Sequence, residues 1–161
     1  MIPHVLKLTS QGPPISVFEY WKLNRRKFDL HQRYLDKWNN IRSPKTGRQV
    51  DILLMPPMPH TAVPHRSCRW VGYTKVWNFL DYSALVIPGG KVSQTDLDQA
   101  WDFDERGPLD AWNATVWREN KGRMAELNLS VGIQLVCRKL EEEKLLAAAK
   151  VVDALVHEGL H

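Results

Sequence analysis

The sequence has few cysteines and no long apolar run. Its two cysteines, Cys68 and Cys137, are too few for a disulfide framework, which excludes the small disulfide-stapled secreted domains and leaves a single bridge open. No stretch approaches the roughly 20 apolar residues that cross a bilayer. The first eight residues include Pro3 and lack an apolar segment of signal-peptide length. We therefore expect a soluble, cytoplasmic protein without a membrane span.

Positive charge is spread along the chain rather than concentrated. The 161 residues carry a net charge of +4, and the densest basic run, Arg25-Arg26-Lys27, falls within a helical pattern. Such a run is typical of a solvated helix face, whereas nucleic-acid-binding proteins usually cluster their basic residues on one face. We predict no nucleic-acid partner.

Potential metal ligands are present but incomplete. His60, His65 and Cys68 fall within nine residues, but a structural zinc site needs four ligands, and the fourth would have to come from as far away as Cys137. Four acidic residues resemble a loose calcium site but lack the glycine and the terminal glutamate of an EF-hand loop: Asp96, Asp98, Asp102 and Asp104. We predict no metal site and no cofactor.

A long amphipathic helix is predicted near the start of the chain. Ser16 and Glu19 have the spacing of a capping box, and the helix should run to about Asn39. We assign Trp21 and Trp38 to the core. The other members of its wide apolar stripe are Val17, Tyr20, Leu23, Phe28, Leu30, Tyr34 and Leu35.

Three short apolar runs predict strands at 51–55, 84–88 and 131–137. They lack polar alternation, as is typical of strands buried on both faces in parallel or mixed sheets. A short helix is predicted at 70–82. A closing helix is predicted from Glu141 to about Val156, with an inner stripe of Leu145, Ala148, Val152 and Leu155. Strands that alternate with helices indicate an α/β fold.

The predicted sheet has too few helices to cover it. Residues 91–128 show little pattern and predict a loop-rich connection, which leaves two long helices and a short one for three strands. We therefore expect an incomplete sheet with exposed edges, and either self-association or a complementary chain. The positions that test this expectation are Leu53, Leu85, Ile133 and the Phe28 face of the first helix.

Four stretches of the sequence carry a resemblance. They are PISVFEYWKLN at 14–24, VDILLMPPMPHTAVPH at 50–65, YTKVWNFLDY at 73–82 running into ALVIP at 84–88, and SVGIQLVCR at 130–138 followed by LEEEKLL at 140–146. In this order they resemble the last third of fungal acetamidase-like enzymes of the amidase-signature family and the helix that precedes it. The resemblance implies that residues 1–161 form the C-terminal part of an amidase-signature domain. Its fold would be part of the family's mixed, mostly buried sheet flanked by helices.

The resemblance also implies a chemistry. Enzymes of this family hydrolyse a carboxamide to a carboxylate and ammonia or an amine, using a serine nucleophile that a lysine activates through a bridging serine. The family's Gly/Ser-rich signature and its lysine lie upstream of the matching region. The double glycine Gly89-Gly90 has no serine motif beside it, and no Lys-Ser arrangement surrounds Ser67, Ser83, Ser93 or Ser130. We assign no catalytic residue and expect the chain alone to be inactive.

The similarity to fatty-acid amide hydrolases implies substrate contacts. There, the segment that resembles residues 73–77 lines the acyl-binding channel, so Tyr73, Thr74 and Trp77 are implied contacts for a small amide substrate in the complete enzyme. The alternative for Trp77 is packing of its helix against the sheet. Cys137 replaces a family glycine and Ser130 a family proline; we predict a buried structural thiol at Cys137.

Three functional hypotheses follow. The leading one is an amidase part without activity of its own. The second is one half of a two-chain amidase, and the third is a non-catalytic binding module that reuses the fold.

Overall fold

Helices lie on both faces of a small sheet in a computed structural model, which describes residues 12–99 and 103–158. Pro3 and Asp102, named above, lie outside these ranges. The elements in chain order are α1 (Val17–Asn40), β1 (Leu53–Met55), α2 (Gly72–Leu80), β2 (Ser83–Lys91), a 3-10 helix (Gln94–Asp98), α3 (Pro108–Glu126), β3 (Ser130–Cys137) and α4 (Glu142–Glu158). The predicted α/β class is confirmed.

The sheet has the order β1-β3-β2 and is antiparallel where it is described. The sequence indicated a parallel or mixed arrangement, and for these three strands that prediction is wrong. Leu54 and Leu85 both pair with Leu135, so the three side chains share one face of the sheet. The outer edges of β1 and β2 meet no further strand within the described ranges.

One face of the sheet packs against α1 and α2. Trp38 is 2% exposed, and its indole Nε1 donates to the carbonyl of Val50 at 2.9 Å. Around it, Trp77, Leu80 and Val136 form a buried cluster. The C-terminal half of α1 is thereby fixed to the sheet, and the core assignment of Trp38 is confirmed.

The other face packs against α4. Leu145 and Ala149 of this helix lie against Leu135 and Cys137 of β3, which are fully buried. The predicted stripe holds as far as Val152, which is partly buried in the same cluster. Leu155 is 62% exposed, so its assignment to the inner stripe is wrong; the end of α4 carries it out of the cluster.

The N-terminal half of α1 lies largely in solvent. The capping box is confirmed: the amide of Glu19 donates to Ser16 Oγ at 3.2 Å, and the amide of Ser16 donates to the Glu19 carboxylate at 2.9 Å. Trp21, however, is 65% exposed and its assignment to the core is wrong. The described core contacts of α1 are made by Tyr34 and Trp38 near its end, so the apolar stripe before them meets no core cluster.

The strands are not all buried on both faces. Val86 is 52% and Leu54 is 56% exposed, because the helices do not cover the full width of the sheet at these positions. Full burial on both faces is reached in the second half of β3, from Gln134 to Cys137. Of the four test positions, Phe28 is 62% exposed, whereas three are partly buried: Leu53, Leu85 and Ile133.

Residues 91–128 contain a long helix, so the prediction of a loop-rich connection is wrong. Pro108 opens α3 at a position that tolerates proline, because the first amides of a helix have no partner within it. Val116 and Met124 of α3 form a third buried cluster with Val92 and Ala125. The apolar residues of α3 face several neighbours, and the sequence therefore shows no single stripe.

Candidate functional site

A cleft of about 460 Å³ lies between α3, the start of α2 and a proline-rich loop at 56–61. Its volume lies within the range typical of small-molecule sites. We refer to it as the cleft. Its lining residues are Pro56, Pro57, Met58, Pro59, His60, Thr61, Tyr73, Asn113, Val116, Trp117, Met124, Val131 and Gly132.

The proline-rich loop is seated on the central strand. Prolines restrict the backbone of this segment and remove amide donors. Pro57 lies directly over Gly132 of β3, where any larger residue would meet it. The hydroxyl of Thr61 approaches the sulfur of Met124 on α3 at 3.4 Å. The loop thus contacts both the central strand and α3.

A second pair of contacts fixes α3 to the segment that follows this loop. The indole Nε1 of Trp112 donates to the carbonyl of Ser67 at 2.8 Å. The guanidinium carbon of Arg69 lies 3.3 Å from the centre of the Trp112 ring, a cation–π contact. Ser67 and Arg69 therefore both contact Trp112 and fix α3 to the segment after the loop.

Tyr73 is the sequence-predicted contact that lines the cleft. Its carbonyl accepts a hydrogen bond from Gln134 Nε2 at 3.0 Å, which ties the first turn of α2 to the central strand. The ring meets that of Trp70 edge to face, with 4.6 Å between centroids. Tyr73 is 37% exposed, so part of the side chain is open to a ligand.

The other two predicted contacts do not line the cleft. The hydroxyl of Thr74 donates to the carbonyl of Val71 at 3.1 Å within the first turn of α2. Trp77 is 4% exposed and packs between Tyr34 and Tyr82, at centroid distances of 6.0 and 6.2 Å. Packing of α2 against the sheet, the alternative considered for Trp77, is the arrangement found. A substrate role for these residues stays a prediction.

Sequence reasoning missed the wall formed by α3. Asn113, Val116 and Trp117 line the cleft from this helix. Pro108, after Gly107, was the available signal, since this pair is typical of a helix start. The spacing of Asn113 and Trp117 at i, i+4 would then have placed both on one face.

The cleft is nearly free of charge. Its lining includes no lysine, arginine, aspartate, glutamate, serine or cysteine from the described ranges. His60 is its one imidazole, and the Nδ1 atom lies 2.7 Å from the carbonyl of Thr61. These groups can bind a ligand, but they include no serine or thiol nucleophile with a base beside it.

Two of the candidate metal ligands, His60 and Cys68, each contact a backbone carbonyl. Cys68 Sγ lies 3.6 Å from the carbonyl of Trp70. Within residues 12–99 and 103–158, no three His, Cys, Asp or Glu side chains group closely enough to hold a metal ion. Among the helices of these ranges, none is both long and apolar enough to span a bilayer.

Cys137 is fully buried, as predicted. Its side chain lies in the cluster under α4, and burial raises the pKa of the thiol, with the charge of Glu141 adding to the effect. The neutral thiol is therefore the favoured form. Cys137 is a packing residue of the sheet.

The sequence profile of the family described as Amidase matches residues 14–146. "Amidase 2" of Gibberella moniliformis is 48% identical over 145 residues, which cover 89% of this chain and 27% of that protein. "Acetamidase" of Aspergillus oryzae is 30% identical over 96% of this chain and 28% of that protein. The chain spans less than a third of the length of the curated relatives it matches.

A solved structure of "Fatty acid amide hydrolase" has a similar fold. The TM-score is 0.65 over 88% of this chain and 24% of that one, with 24% sequence identity. At this identity the similarity concerns the fold alone. The three-stranded sheet and its helices therefore correspond to a portion of a larger known architecture.

Proposed function

This chain belongs to the amidase family, and from that premise we propose that it provides the substrate cleft of a carboxamide hydrolase whose nucleophile and base lie outside these 161 residues. The observation that carries the proposal is the cleft itself, whose lining among the described residues is mostly apolar and includes no serine or lysine. Such a surface suits binding and orientation of a substrate rather than bond cleavage.

The division of labour follows from the chemistry of amide hydrolysis. A serine hydroxyl is a weak nucleophile until a base accepts its proton, and the tetrahedral intermediate needs donors aimed at its oxygen. By its resemblance to the family, this chain has neither the lysine–serine pair nor the Gly/Ser-rich donors in its sequence. Its contribution would be to hold the substrate against groups from another part of an amidase.

The exposed half of α1 supports a complementary amidase segment as the partner. Phe18, Trp21 and Phe28 are 62%, 65% and 62% exposed, although the family match begins before this helix, at residue 14. Large apolar side chains that are exposed together on one helix are typical of an interaction site. A separate catalytic polypeptide that covers it would make the chain one half of a two-part enzyme.

Complementation tests the proposal. The chain would be produced alone and together with the portion of the Gibberella moniliformis relative that lies outside the aligned segment. We expect no hydrolysis of acetamide or benzamide by the chain alone, and fluorophosphonate-sensitive hydrolysis by the pair. Hydrolysis by the purified chain alone, with the label on one of its own serines, would contradict the proposal.

A matched pair of variants locates the contact in the complementation assay. Trp21→Glu places a charge on the exposed half of α1 and should reduce the complemented activity. Val151→Glu places the same charge on an exposed apolar position of α4, 61% exposed, and should leave it unchanged. Equal effects of both variants would show that α1 is not the docking surface.

A further inference from the structure

We propose that the cleft binds an uncharged carboxamide that carries an aromatic ring, and that it discriminates against carboxylates and against small aliphatic amides. This inference rests on the proposed function, because it names the substrate class of the same site. Three features of the lining carry it: the absence of charge, the aromatic and sulfur-containing walls, and one side-chain amide.

The scarcity of charged side chains in the lining disfavours ionic ligands. Apart from His60 and Tyr73, the described residues that line the cleft include no ionisable side chain. A carboxylate that enters such a space loses hydration without gaining a cationic partner, whereas a neutral amide loses far less. The cleft would therefore bind an amide substrate more tightly than its carboxylate product, which would favour release of the product.

The walls favour a flat ring over a short aliphatic group. Tyr73 from α2 and Trp117 from α3 offer aromatic surface, and Met58 and Met124 offer polarisable sulfur, which makes favourable contacts with ring edges. The methyl group of acetamide would bury little of this surface, because the gain scales with the apolar area removed from water.

Asn113 provides a group that matches the ligand's polar end. Its side-chain amide carries a donor and an acceptor, and a primary carboxamide presents the complementary acceptor and donor. Asn113 and Trp117 lie four residues apart on α3, one turn of helix from each other. A ligand could therefore pair its amide with the one residue and place its ring near the other.

Direct binding to the chain tests this inference without relying on hydrolysis. Benzamide, acetamide and benzoate would be titrated while protein amide and indole resonances are followed by NMR. We expect benzamide to bind at least about tenfold more tightly than either of the others. Trp117→Ala should weaken benzamide binding at least about fivefold, whereas Trp21→Ala, on the exposed half of α1, should not change it.

A charge introduced into the cleft provides the decisive variant. Met58 lies in the loop rather than in a helix or strand, so Met58→Lys should leave the fold intact, as a cooperative thermal transition would verify. We expect it to reverse the order, so that benzoate binds more tightly than benzamide. Equal binding of the three probes, no binding of benzamide, or an unchanged order in Met58→Lys would overturn the inference.

These outcomes can be told apart from failure of the proposed function. If benzamide does not bind more tightly than acetamide and benzoate, but the chain and its complementary segment together hydrolyse amides, only the aromatic substrate class is rejected. Hydrolysis by the isolated chain would reject the division of labour and leave the binding order to be judged by the titrations.

Discussion

Cγ of Pro57 lies 2.8 Å from the position that a Cβ atom would occupy at Gly132 on the central strand. Real side chains do not approach so closely, so the loop can take this place because residue 132 has no side chain. On the same face, Cγ1 of Val86 lies 3.2 Å from that position. Gly132 and Pro57 both line the cleft.

The Gly132→Ala substitution should disturb both the fold and the cleft. The added methyl group must displace Pro57 or Val86, and overpacking of this kind costs about 1–3 kcal/mol in the free energy of unfolding. Urea denaturation followed by circular dichroism would measure the cost. Benzamide binding should weaken as well, because the loop is moved from its seat.

Gly122→Ala is the matched control for this substitution. Gly122 lies within α3 and has no atom within 4 Å of the position of an added Cβ. Alanine is the better helix former, so this variant should gain up to about 1 kcal/mol. If Gly132→Ala and Gly122→Ala changed the free energy of unfolding equally, the close approach of Pro57 would not be the reason that residue 132 must be glycine.

The two tryptophans of α1 should differ sharply in their contribution to stability. Trp38 is 2% exposed and hydrogen-bonded to Val50, whereas Trp21 is 65% exposed. Trp38→Ala should cost about 3–5 kcal/mol, and Trp21→Ala should stay within about 0.5 kcal/mol of the parent chain. Thermal and urea unfolding would measure both. Similar losses for the two variants would mean that the N-terminal half of α1 is packed.

The sequence predicted those helices and strands whose ends or buried faces depend on residues close together in the chain. The capping box of Ser16 and Glu19 located the start of α1, and the short apolar runs located the three strands. The helix α3 was missed because its buried residues, Val116 and Met124 among them, contact a loop, a 3-10 helix and the residue that follows β2 instead of one sheet face. A helix surrounded by several partners leaves no single periodic stripe.

The site was harder to predict than the fold for the same reason. The resemblance drew attention to Tyr73, Thr74 and Trp77, but Trp77 lies one helical turn beyond Tyr73, where its neighbours are Tyr34 and Tyr82 instead of the cleft. Trp77 therefore lies in the core while Tyr73 lines the cleft. The wall that α3 contributes depends on its distant contact with the segment after the proline-rich loop, which no local pattern encodes.

Glu141 should make stability depend on pH in the acid range. Burial raises the pKa of this carboxyl, but the hydrogen bond and charge of Lys144, at 2.7 Å, and the charge of Arg138 outweigh burial and bring it below the ordinary 4.5. A lowered folded-state pKa stabilises above the unfolded-state value, and the gain is lost as the pH falls through the folded-state value. Stability should therefore decline below about pH 4.5.

The Glu141→Gln substitution isolates this contribution. It should lower the free energy of unfolding at pH 7 by about 1 kcal/mol, and the difference from the parent chain should shrink as the pH falls. Glu143→Gln, at an exposed position in the first turn of α4, is the control and should show a smaller effect. A Glu141→Gln deficit that stays constant from pH 7 to about pH 2 would contradict the charge-based origin.

The two cysteines should differ in reactivity. Cys137 is fully buried and burial raises the pKa of its thiol, whereas Cys68 is partly exposed in a loop. Because the thiolate is the reactive form, we expect iodoacetamide to modify Cys68 at least about tenfold faster than Cys137 in the native chain. Peptide mass spectrometry would measure the two rates. In urea the rates should converge, and equal rates in the native chain would contradict the burial of Cys137.

The exposed half of α1 presents its apolar side chains together rather than singly. Val17, Tyr20 and Trp21 lie within one turn, and Phe28 follows two turns later; all four are more than half exposed. One lysine side chain shields part of this half of α1, since Lys22 Nζ lies 4.6 Å from the centre of the Phe18 ring. Such shielding covers a ring face but leaves the apolar surface open to another protein.

The chain alone should therefore self-associate through α1 or bind a hydrophobic dye. Trp21→Glu combined with Phe28→Glu should abolish both effects, because a carboxylate buried in an apolar contact has no partner. Val151→Glu, at an exposed apolar position of α4, should abolish neither. Sedimentation equilibrium over a wide concentration range and dye fluorescence would measure the outcome. A chain that remains monomeric at the highest concentration and binds no dye would contradict this role of α1 and favour a self-sufficient binding module over part of a larger enzyme.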